Sequence, residues 1–247
     1  MARKTADPVA AQERRSAPLA RRQPARPASA TGERGARAQT AYAHIKQLLL
    51  NGVLKSGDRL RVNDLATELG ISRQPVMAAI QRLAGEFLVE IIPQVGSIVR
   101  RPDRREVDDF YRYLAQSEGL LAELAAERAA PPQVKALEQA LEAFAKALAR
   151  KQGAARKKLA FNQLNRMFHE LIHDVAQSAA LKLEAQALLD RADFMVNSIE
   201  LTATVEEDFA KAYGDHKAVV KAIRRGDGAG ARQAMQDHIL SSSPRFR

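Results

Sequence analysis

Apolar residues first recur at helical spacing around Tyr42, Ile45, Leu48 and Leu49, which share one face. This period predicts a helix over 40–51, with Thr40 as a cap and Gly52 as its stop. A turn at Lys55-Ser56-Gly57-Asp58 follows, and Leu60 restarts the apolar pattern. A short helical pattern over 63–69 is joined by Gly70-Ile71 to a second over 72–83. In the second, Val76, Ala79, Ile80 and Leu83 form one stripe, while Arg73, Gln74, Met77, Gln81 and Arg82 fall mostly off it. Ser72 can cap that helix through its hydroxyl, and Pro75 is tolerated in a first turn. Two β-prone runs, 87–92 and 97–100, flank Pro93-Gln94-Val95-Gly96 and predict a hairpin.

From 103 to 240 the pattern is helical almost throughout. Breaks are expected at Pro131-Pro132, Gln152-Gly153, Ser178, Gly214 and Gly226-Asp227-Gly228, which leaves about six helices of ordinary length. Leucine, valine and phenylalanine recur at three and four, as in Val134, Leu137, Leu141, Phe144 and Leu148. The expected fold is therefore mainly α: an N-terminal winged helix-turn-helix with a small β-hairpin wing, then an all-α bundle. The expected divisions are a disordered basic tail over 1–39, the winged domain over 40–102, the bundle over 103–240 and a short tail over 241–247. The first 39 residues, rich in Ala, Arg, Pro and Ser, cannot bury enough apolar surface to offset chain entropy.

Charge sharpens this division. Residues 1–39 hold nine Lys/Arg against three Asp/Glu, residues 40–102 hold eight against five, and the remainder is nearly balanced within a total of +10. The positive field thus lies on the tail and first domain, as a polyanion-binding half requires. Cysteine is absent, which excludes a disulfide framework, a cysteine zinc finger and a thiol nucleophile, and fits a cytoplasmic protein. No apolar run approaches the ~20 residues of a membrane span, so no membrane is expected among the partners. The basic N-terminus lacks the apolar core of a secretory signal.

Helix, short turn and second helix opened by polar residues make a motif whose second helix enters the major groove of double-stranded DNA. In the bundle, Asn165 and His169 are four apart and share a helix face, His216 is expected to begin a later helix, and His238 lies near the end of the last. Imidazoles from different bundle helices can converge on one divalent ion such as zinc, nickel or manganese, or they can be hydrogen-bonded core residues. Three histidines with an open position would also suit a metal-dependent hydrolase, but no general base, Ser-His-Asp set or phosphate-cradling loop accompanies them.

Residues 42–100, with YAHIKQLLLNGVLKSGDRL, DLATELGISRQPVMAAIQRL and LVEIIPQVGSIV, resemble the GntR family of bacterial transcription regulators. Residues 103–240, with NRMFHELIHDVAQSAAL and DHKAVVKAIRRGDGAGARQAMQDHIL, resemble the FCD effector domain of its FadR subfamily. The resemblance implies DNA contact by Arg61, Asn63, Ser72, Arg73, Gln74, Met77 and the wing-tip Gly96. It also implies a metal held by Asn165, His169, His216 and His238, and an effector pocket that includes Leu114 and Glu118. The expected protein is a homodimeric regulator, a repressor in the leading case, answering to a small metabolite such as an organic acid. A constitutive DNA-binding protein with a silent pocket is the alternative. The chain departs from the family pattern in several places. Met77 stands for an Arg, Val95 for a basic residue, and Phe87 for the Gly of Glu-Gly-Leu. Asn165 replaces an Asp ligand, Leu114 an acid-binding Arg, and Ala179-Ala180 the place of an Asn.

Overall fold

The structure, a computed structural model, describes residues 28–198 and 205–243. Its first helix, α1 (Ala28–Leu50), starts well before the predicted position 40. Ala41, Tyr42, Ile45 and Leu49 anchor it in the core. The preceding stretch, 28–39, holds four Ala and two Arg, strong helix formers that let a packed helix extend outward past two glycines without an apolar face of its own. The expected disordered tail is therefore helical from Ala28, and its residues 1–27 lie outside the described part.

Strand β1 (Arg59–Leu60), helix α2 (Val62–Glu68), helix α3 (Arg73–Gly85) and strands β2 (Val89–Ile92) and β3 (Gly96–Val99) complete the head. Val76, Ala79, Ile80 and Leu83 are all buried, so the predicted stripe of α3 is its core face. Ser72 occupies the N-cap position with extended backbone, but its side chain makes no cap hydrogen bond, contrary to expectation. The sheet is antiparallel in the order β1-β3-β2, with Val89 opposite Val99 and Ile92 opposite Gly96. The hairpin was predicted. The third strand was not: two residues are too short to carry a period, and Leu60 by itself signals only core. At the tip Gly96 has φ of +118°, a conformation that a Cβ disfavours.

The chain enters the bundle without slack. Asp103 caps α4 (Arg104–Arg128) by accepting from the Glu106 amide at 2.8 Å, and Arg100 donates to both oxygens of Glu106 at 2.8 and 3.1 Å. Helices α5 (Pro131–Ala149), α6 (Ala154–Val175), α7 (Ala179–Ser198), α8 (Val205–Arg224) and α9 (Gly228–Ser241) follow. The expected break at Gly214 does not occur, so His216 lies within α8 rather than at its start. One helical glycine costs about 1 kcal/mol, and the buried Phe209, Ala212, His216 and Val219 around it hold the helix to the core. Helix α9 lies close along α4: a Cβ on Gly119 would come within 2.8 Å of the Gln236 side chain and 3.2 Å of the Arg232 carbonyl.

Candidate metal centre and nucleic-acid interface

In the head, the fold separates two classes of side chain. Arg61, Asn63, Ser72, Arg73, Gln74, Met77 and Gly96 are all exposed. Ser72, Arg73, Gln74 and Met77 open α3, Arg61 and Asn63 flank the start of α2, and Gly96 marks the hairpin tip. Arg61 lies 3.8 Å from Asp64, a loose exposed pair that leaves its guanidinium available. Met77 is 48 % exposed, an unusual position for so apolar a side chain, one turn beyond Arg73.

In the bundle, α6, α8 and α9 bring His169, His216 and His238 together. One ring nitrogen from each lies within 4.8 Å of the others, and all three residues are buried. The Nε2 atoms of His216 and His238 are 3.2 Å apart. Two imidazoles on one tetrahedral ion, with bonds of about 2.0–2.1 Å, would place their nitrogens about 3.3 Å apart. Phe168 stacks on His216 with centroids 3.8 Å apart, and Phe144 meets it edge-on at 5.0 Å. Burial among these rings holds His216 well below the usual imidazole pKa, with His238 and His169 adding to the shift. Burial also lowers His238, against the opposing pull of Asp215. Neutral rings with free lone pairs are what a cation needs.

Behind the rings stand carboxylates. Glu118, fully buried in α4, accepts from His169 Nδ1 at 2.8 Å and from His173 Nε2 at 2.9 Å. Burial alone would raise its pKa, but these two hydrogen bonds and the charges of the same histidines outweigh that and bring it down to about 2. In the neutral form of His169, donation from Nδ1 to Glu118 leaves the lone pair on Nε2. Asp215 lies 3.2 Å from His238 Nδ1. That hydrogen bond first, then one from Lys211, lowers Asp215 to about 2 against its partial burial. Asn165 lies one turn before His169 on α6, and its Oδ1 is buried with no hydrogen-bond partner. An orphaned carbonyl oxygen one helical turn before the first of three converging imidazoles fits a site built for a cation, since an unpaired buried acceptor is otherwise costly.

Three of the four predicted ligands thus converge, Asn165 lies one turn before the first of them on α6, and Leu114 is buried one turn before Glu118 on α4. Sequence reasoning missed His173 and Asp215. His173 carried a signal, being four residues beyond His169 on the same face, and Asp215 immediately precedes His216.

Residues 109–241 match the FCD domain, and residues 37–99 match the bacterial regulatory proteins of the gntR family. The chain belongs to the gntR family, in its FCD-domain branch. Family membership makes it a DNA-binding transcriptional regulator, and the hydrolase alternative falls with it. It is 25% identical over 201 residues to the uncharacterized HTH-type transcriptional regulator YdhC of Bacillus subtilis, which covers 81% of this chain and 84% of that protein. It is 27% identical over 212 residues to the HTH-type transcriptional repressor RspR of Escherichia coli, which covers 85% and 88%. The fold resembles the solved structure of E. coli McbR/YncC, with a TM-score of 0.68 at 21% identity, covering 83% of this chain and 94% of that one. No helix among the described residues is long and apolar enough to cross a membrane.

Proposed function

We propose that this regulator is a cytoplasmic homodimer whose affinity for a DNA operator is set by a small molecule bound at a metal ion. Asn165, His169, His216 and His238 would hold the ion. When bound, it would supply a Lewis-acidic centre able to take an oxygen donor from an organic acid. The single observation that carries this reading is the partnerless, buried Oδ1 of Asn165, one turn before His169 in a set of three imidazoles whose ring nitrogens converge. Three neutral imidazoles and an amide oxygen suit borderline ions such as zinc or nickel better than hard ones, with manganese a weaker fit. Leu114 would contribute apolar wall. Glu118 would serve the pocket from behind His169, because its two oxygens are committed to His169 and His173.

Arg73 and Gln74 would read base edges from the first turn of α3, with Arg61, Asn63, Ser72 and Met77 around them and Gly96 at the wing tip allowing close backbone approach. Two heads would meet two half-sites about 34–36 Å apart. The repressor reading is supported by the likeness to RspR, a transcriptional repressor that aligns with this chain over most of its length.

The test is metal content after exhaustive dialysis and reconstitution, wild type beside His216→Ala, together with the DNA affinity of each. Near-stoichiometric metal in the wild type, lost in the variant, is expected, with operator affinity that differs between metal-loaded and metal-free wild type. Absence of metal after reconstitution would overturn the metal site. Metal without any effect on DNA affinity, in the presence or absence of candidate acids, would instead favour the constitutive regulator.

A further inference from the structure

The head and the bundle meet at a place where two features of the sequence remain unexplained: a lysine with three polar partners, and a phenylalanine in a backbone conformation suited to glycine. Starting from the bundle, Arg166 follows Asn165 and precedes His169 by three positions on α6. Its guanidinium donates to Asp190 at 2.6 Å, Asp193 at 2.8 Å and Glu170 at 3.0 Å. The other oxygen of Asp190, on α7, lies 2.7 Å from Lys46 Nζ on α1. Lys46 is 15 % exposed and also donates to Tyr42 Oη at 2.7 Å and Glu86 Oε2 at 2.8 Å. Glu86 is the C-cap of α3, and its other oxygen lies 3.4 Å from Arg82 Nε. An unbroken series of ionic hydrogen bonds therefore runs from the residue beside Asn165 to the end of the recognition helix.

Beside it, Phe87 has φ of +62°. A non-glycine residue in that region carries strain, and such strain persists only where its surroundings over-determine it. The Phe87 ring lies 5.5 Å from the Arg100 guanidinium and 5.7 Å from that of Arg191 on α7, which in turn lies 5.8 Å from the Phe110 ring on α4. The strained residue is thus the one whose ring reaches the bundle.

We infer that Lys46 and Phe87 are positioning residues that tie the recognition helix to the helix carrying Asn165 and His169, so that occupation of the metal centre is felt at α3. The inference rests on the function proposed above. Any shift of α6 that gives the orphaned Asn165 oxygen a bond carries Arg166 with it. A planar guanidinium shared among three carboxylates cannot follow α6 without taking Asp190 along. Lys46 passes that displacement to Glu86, and partial burial keeps these pairs from being screened as surface pairs are.

The test is amide hydrogen exchange of the full chain with and without zinc. In the wild type, zinc is expected to slow exchange in α6, α8 and α9 and to change exchange in α3. Lys46→Met and Asp190→Asn should keep the first response and lose the second, while Lys46→Arg keeps both. Phe87→Gly should weaken the α3 response without lowering the thermal midpoint, because it relieves the left-handed strain; a purely structural role would move stability instead. Should Lys46→Met fail to fold, Asp190→Asn carries the test, since it leaves Lys46 on Glu86. An α3 response that survives Asp190→Asn overturns the inference. So does a zinc response confined to α6, α8 and α9 in the wild type, which leaves the metal reading standing. No response anywhere overturns both.

Discussion

In the head, the residues expected to meet DNA are exposed around an apolar core, whereas in the bundle Glu118, His169, His173, His216 and His238 are each no more than 2 % exposed. The two regions thus place their chemistry on opposite sides of their own surfaces. An exposed cation such as Arg73 costs the fold nothing and acts on a partner that brings its own charge. A buried imidazole is held by its neighbours, and Glu118, Asp215 and the Phe168 ring set the orientations of His169, His238 and His216 in advance. A single surface substitution on the head, at an exposed position such as Met77, therefore leaves its core intact. Changes in the bundle must respect a network.

That contrast can be broken or sharpened by substitution. The largest effect is expected in the bundle from Glu118→Gln, which touches no ion yet should lower zinc affinity by about 10–100-fold, read by competition titration. A change within the error of the titration would remove the case for a pre-oriented His169. On the head, Arg73→Ala should weaken operator binding by about 5–100-fold in fluorescence anisotropy, with the fold and the metal content unaltered. A smaller effect is expected from Met77→Arg, which restores a cation at an exposed position. It should steepen the dependence of log affinity on log salt by about one, and an unchanged slope would mean that this turn of α3 does not face phosphate.

The smallest effect is on stability against pH. Burial lowers the pKa of His216 strongly and that of His238 as well in the folded state, whereas in the unfolded chain they titrate near pH 6.5. Below about pH 6.5 the unfolded chain binds more protons, so this contribution is present at higher pH and lost as the pH falls. The thermal midpoint of the metal-free protein should drop between about pH 7.5 and about pH 5.5, by about 2–4 °C for each kcal/mol lost. A midpoint flat across that range would indicate that the rings are hydrated.

Much of the head was legible because its signals are local. The stripe of α3, the Gly70 turn and the Pro93–Gly96 hairpin each lie within one short window, and period alone places them. Strand β1 escaped because Arg59 and Leu60 form a strand only by pairing with Ser97 and Ile98, a contact that no local window contains. In the bundle, apolar spacing predicts about six helices, but Gly214 does not break α8, because packing of Phe209 and Val219 overrides a local cost. Helical placement picks out the four candidate ligands, and resemblance makes them a metal set. Their convergence, and the seating of Glu118 between His169 and His173, depends on how α4, α6, α8 and α9 cross, which spacing along the chain does not encode. The role of Phe87 was illegible for a further reason: a departure from a family pattern shows that something differs, and only its φ and its ring contacts show what.

The three imidazoles come from three helices, with roughly seventy residues between the first and the last, and joining distant chain positions costs the unfolded chain entropy that grows with the logarithm of that length. In a chain without cysteine, an ion shared by α6, α8 and α9 would act as a removable staple, closing with one coordination sphere a loop that a secreted protein would close with a disulfide. Cellular metal supply would then govern how long the regulator survives proteolysis as well as what it binds, since the unstapled bundle opens more often.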